Sequence, residues 1–133
     1  MSGYAGIELI DSTERLKHHE LTKALWQKLR EMDIKTGDKG RIKGVLISNS
    51  YEQAKTLKEN FLGDDFDATI YNQDDSTQII QITTPLCKLS IEALLEITDL
   101  LLISVVNTDI KFDGLELDVN EVKKLNAPWW KFW

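Results

Sequence analysis

In the run Ile110-Lys111-Phe112-Asp113-Gly114-Leu115-Glu116-Leu117-Asp118-Val119 the alternation of apolar and polar residues slips by one place. Ile110 and Phe112 fall on even positions, whereas Leu115, Leu117 and Val119 fall on odd ones. Side chains on a strand alternate faces with a period of two, so keeping both apolar sets on one core requires an extra residue at Asp113-Gly114. Glycine tolerates the positive φ of such a bulge. An Asp-Gly pair also suits a two-residue hairpin turn, but a turn here would leave a first strand of only about three residues after Asn107.

The elements before this strand follow from periodicity. Residues 12–32 read as a helix, with Leu21, Leu25, Trp26 and Leu29 at three- and four-residue spacing. A polar loop with Gly37, Asp38 and Gly40 follows, then a short apolar strand over 41–48 (Ile42, Val45, Leu46, Ile47) that suits cover on both faces. Ser50 and Gln53 have the spacing of a capping box, and Ala54, Leu57 and Phe61 continue as a helical stripe toward a glycine cap at Gly63. Phe66, Ala68 and Ile70 alternate with polar residues; Ile79, Ile80 and Ile82 follow a polar turn, and Thr84-Pro85 closes the hairpin. Residues 90–106 form a second long helix with its acids early. The expected fold is therefore α+β: a ferredoxin-like βαββαβ antiparallel sheet with an extra N-terminal helix. Residues 1–11 are expected as an arm, 12–119 as a single domain and 120–133 as a tail with an aromatic end.

Composition narrows the chemistry. One domain of 133 residues can bury about two-thirds of its unfolded surface without a staple. A net charge of −6 disfavours a phosphate-backbone binder and suits a basic protein partner, although it also serves solubility. The single cysteine, Cys87, excludes an internal disulfide and fits a reducing, cytoplasmic setting; as a residue it reads as a small buried hydrophobe. No secretory signal is visible at the start, and the apolar stretch 91–106 is too short and too charged to span a bilayer.

No catalytic, cofactor or metal constellation emerges. His18 and His19 are adjacent, so they point about 100° apart on a helix and read as solvent-facing polar residues rather than ligands. The glycines at 37, 40 and 44 match no phosphate or dinucleotide loop. Asp64, Asp65, Asp74 and Asp75 place acids at the loops of the sheet, either as solvated turns or as a partner-facing surface. Trp129, Trp130 and Trp133 crowd the last five residues, suited to packing back on the domain or to a protein contact. A single Lys131 beside them and an acidic body speak against stable membrane association.

Leu25-Trp26 in the leading helix, the strand ending near Ser48, the helix after Ser50, the hairpin, the long helix and the closing Phe112-Asp113-Gly114-Leu115-Glu116 together resemble the regulator of ribonuclease activity B (RraB-like) family over roughly residues 20–119. That family's closing strand typically reads Tyr-Asp-Gly-Trp-Glu, so Phe112 replaces a tyrosine and Leu115 a tryptophan, and the aromatic tail stands where the family carries a longer acidic extension. The resemblance implies a non-catalytic cytoplasmic protein of bacteria that binds ribonuclease E and inhibits it, modulating RNA turnover without touching nucleic acid itself. Phe112, Asp113, Gly114 and Glu116 are then candidate contact residues. An immunity-type protein that neutralises a basic toxin nuclease is the alternative that the same acidic balance allows.

Overall fold

The computed structural model describes residues 6–61, 65–74 and 76–127. After a 3-10 turn at Ile7–Leu9, helix α1 spans Ser12–Glu31, starting where the Asp11 side chain accepts the Glu14 N–H at 3.0 Å. Strand β1 is the pair Lys39–Gly40, and β2 runs Lys43–Ser48. Helix α2 spans Tyr51–Asn60, β3 and β4 form the hairpin Asp67–Asn72 and Gln78–Thr83, and β5 is Cys87–Lys88. Helix α3 spans Ile91–Ser104, β6 Lys111–Glu116 and α4 Val119–Asn126.

The main sheet has the order β3-β4-β2-β6 with every neighbouring pair antiparallel, which makes the fold mixed α+β. Helices α2 and α3 each carry the chain from one strand, past its neighbour, to a second strand running the same way. Leu46, Ile80, Ile82 and Phe112 point to one face and pack with Ala54 and Leu57 of α2 and Leu101 and Leu102 of α3. A second apolar cluster joins Trp26 and Leu29 of α1, Leu94 of α3 and Val122 of α4 around Ile42 and Leu89. Burial of this kind, at about 25 cal/mol per Å² of apolar surface, is the main force behind the fold.

The bulge is present. Val45 pairs with Gly114 and Leu46 with Phe112, so Asp113 is the extra residue, and Gly114 takes φ +144°. Because of it Phe112 and Leu115, three residues apart, both face the core side.

Several expectations need correction. Strand β2 alternates buried and half-buried residues instead of being covered on both faces, because helices pack on one face only. Its inward Gly44 lets α3 approach closely. The Ser50 capping box is half built: Ser50 Oγ accepts the Gln53 N–H, but Gln53 Oε1 accepts from Asp109 N at 3.0 Å, leaving Ser48 Oγ to accept the Ser50 N–H. Strand β6 stops at Glu116, and Asp118 then caps α4 by accepting the Glu121 N–H at 3.1 Å, so a helix lies in the stretch read as a tail. Asn126 locks that helix to β1, accepting the Lys39 N–H and donating to the Lys39 carbonyl, both at 2.8 Å. Cys87 is half-buried, its Sγ 3.5 Å from the Gly40 carbonyl. The expected Gly63 cap lies outside the described residues.

A Cβ built on Gly44 would overlap Leu101 Cδ1, and Leu101 is fully buried. Gly44→Ala is therefore expected to cost about 1–3 kcal/mol through overpacking, read from urea unfolding midpoints at unchanged slope.

Candidate protein-binding surface

Helix α1 is held to α3 by a polar seam. Arg15 donates to Asp99 through both Nε (2.9 Å to Oδ1) and Nη2 (3.0 Å to Oδ2), and His19 Nε2 lies 2.7 Å from the same Oδ1. One turn along, the Thr22 and Thr98 hydroxyls meet at 2.8 Å, and Thr98 also donates to the Leu94 carbonyl. Trp26 and Leu94 then belong to the second apolar cluster. The pairs run in opposite order along the two helices, so α1 and α3 are antiparallel.

Asp99 is only 6% exposed. Burial alone would raise its carboxyl, but the hydrogen bonds from Arg15 and His19, with the charges of both partners, outweigh that and hold it below the ordinary carboxylate range.

This seam overturns the reading of the paired histidines as solvent-facing. His18 is 2% exposed, its ring centroid 4.8 Å from that of Phe112 at a 42° tilt and its Nε2 3.1 Å from Glu14 Oε1. The contact face of α1 runs through 15, 18, 19, 22, 26 and 29, so Leu21, placed by the apolar pattern on the core stripe, is 51% exposed. Nothing in the sequence set Asp99 apart, since it shares its side of α3 with the exposed Glu92, seven residues before it.

Of the candidate contact residues, Phe112 is a core side chain and offers no surface. Asp113 and Glu116 are exposed on β6, an edge strand of the sheet. Beside the bulge lies a recess of about 170 Å³ lined by His18, Thr22, Leu25, Asp113 and Leu115. Asp65 and Asp74 lie at opposite ends of β3, on the other edge, so they make no single patch with Asp113. Asp74 Oδ1 accepts the N–H groups of Ser76 and Thr77, both at 2.8 Å, and the first of these does most to hold its carboxyl below the usual range. Asp64, Asp75, Trp129, Trp130 and Trp133 lie outside the described residues.

The sequence matches no family model and no curated protein. Among the described residues, no group of three or more His, Cys, Asp or Glu side chains could hold a metal ion, and no helix is long and apolar enough to cross a membrane.

Two outcomes test this geometry. Gly114→Ala has open space for its Cβ, so its cost is conformational, about 1 kcal/mol or more in denaturant titration. Asp99 has a lowered folded-state pKa, so its stabilisation is full above the unfolded value of about 4 and is lost as pH falls through the folded one. Asp99→Asn is expected to lower stability at neutral pH by about 1–3 kcal/mol and to flatten the acid limb of a stability-against-pH curve.

Proposed function

We propose that this chain is a non-catalytic, protein-binding regulator of a ribonuclease, of the RraB-like kind, built on a ferredoxin-like βαββαβ sheet with an added N-terminal helix and acting in the cytoplasm. The sheet order β3-β4-β2-β6 and the two helical crossovers support the ferredoxin-like reading. The single observation that carries the function is the bulged closing strand, which displays Asp113 and Glu116 at an exposed sheet edge of a chain with net charge −6. The same bulge sits within Phe112-Asp113-Gly114-Leu115-Glu116, the run that bears the family likeness.

Acidic groups at an exposed edge would meet a basic surface of the nuclease. Charges of this sort set approach rate and orientation more than final affinity, so the complex should weaken as salt rises. The partner class is ribonuclease E or a similar nuclease.

Titrating the purified full chain against ribonuclease E, with cleavage of a reporter RNA followed in parallel, tests the proposal. The expected result is salt-sensitive binding that slows cleavage, with Asp113→Lys weakening it about fivefold or more. Absence of binding at low salt would sink the reading.

A further inference from the structure

The two edges of the main sheet are built differently. Strand β6 carries the bulge, with Gly114 at φ +144° and the exposed Lys111 and Asp113, all of which spoil a template for an added strand. Strand β3 pairs with β4 in unbroken register over Asp67–Asn72 and contains no proline, glycine or lysine. Among the described residues nothing pairs with its outer side.

Two backbone bonds fix which groups β3 leaves open. Thr84 N–H donates to the Ile42 carbonyl and Gln73 N–H to the Thr77 carbonyl, both at 2.9 Å. Bonded pairs alternate along an antiparallel ladder, so β4 turns the backbone groups of Gln78, Ile80 and Ile82 toward β2 and those of Ile79, Gln81 and Thr83 toward β3. Asp67, Thr69 and Tyr71 answer the second set. Ala68, Ile70 and Asn72 therefore point their N–H and C=O groups away from the sheet.

We propose that the β3 edge binds an extended, basic segment of a partner protein as an added strand. Charge selects the occupant. The stretch 64–77 holds Asp64, Asp65, Asp67, Asp74 and Asp75 and no lysine or arginine, and Asp65, Asp67 and Asp74 are exposed toward the two ends of the strand. A second copy is the wrong partner. Facing residues must lie on the same side of the sheet, and antiparallel pairing of β3 with itself about Thr69 or Ile70 sets Asp65 opposite a neighbour of Asp74 in the other copy. A chain with lysine or arginine at each end of a short extended stretch meets opposite charge at both ends instead. Helix α2, which packs over β3, carries Lys55 and Lys58, so the basic groups belong at the ends of the added strand and not at its centre. The backbone ladder supplies affinity, and Ala68 and Ile70, half-buried at the rim of the first apolar cluster, gain cover. This inference does not rest on the nuclease reading, which uses the β6 edge.

The probe is a short synthetic peptide of alternating valine and threonine with a lysine pair at each end, titrated at low salt into the isotope-labelled full chain. The expected result is saturable binding that slows solvent exchange of the Ala68, Ile70 and Asn72 amides about tenfold or more and leaves Asp113 unchanged. N-methylating the peptide backbone on its pairing side keeps the charge and removes the donors, and should weaken binding about tenfold or more. Glutamates in place of the lysines should weaken it at least as much. On the protein, D65N/D67N should lose about threefold or more. Ala68→Pro, whose missing N–H serves no bond to β4, should lose about tenfold. Absence of binding, equal binding of the N-methylated or glutamate peptide, or protection at β6 in place of β3 overturns the proposal. Protection of the same amides that rises with protein concentration in the absence of peptide assigns the edge to a second copy and overturns it too. The peptide variants act on the parent chain, so the test stands even where Ala68→Pro fails to fold.

Discussion

The bulge at Asp113 is the constraint on which the closing of this sheet depends. Phe112 and Leu115 must both reach the core, yet a regular strand would turn residues three apart to opposite faces. One extra residue, with Gly114 at φ +144°, restores the match. Phe112 then supports the ring of His18, and Leu115 touches both apolar clusters, so the bulge joins helix α1 and the two cores to the same strand. A bulge on an edge strand also twists its exposed N–H and C=O groups away from a flat template, which discourages pairing with a stray strand.

Helix α1 is held by two different forces along its length. Near its start the Asp99 carboxylate binds Arg15 and His19, and toward its end Trp26 and Leu29 enter an apolar cluster. The apolar end supplies most of the free energy, because removing such surface from water is favourable without regard to direction. The polar end is directional. A planar guanidinium on a carboxylate tolerates little rotation of either helix, so the seam selects one register where the apolar contact alone would accept several.

Much of this was legible in the sequence because it was written in local patterns. Ser50 and Ser90 cap their helices through Gln53 N and Ala93 N, and the hairpin strands alternate as their residues do. The bulge could be read from parity alone. What escaped depended on contacts between distant segments. His18 looked like a surface residue until β6 placed Phe112 beside it, and Asp99 became a structural acid only once α1 was rotated toward α3. Helix α4 was hidden because Leu117 and Val119 prolong the strand parity, although Asp118 and Glu121 carried the capping signal that ends it. The two-residue strands β1 and β5 are too short for any period to reveal.

The β6 edge and the open face of the sheet differ in what they can offer a partner. At the β6 edge, the bulge and the exposed Asp113 interrupt the ladder that an added strand would need, so recognition there must use side chains. On the open face the strands are regular, and Val45, Ile47 and Ile79 share it with Lys43, Gln81 and Thr83. Glu116 belongs to both surfaces, lying on the edge strand and at a corner of the face, where its Oε1 accepts from Gln81 Nε2 at 3.3 Å.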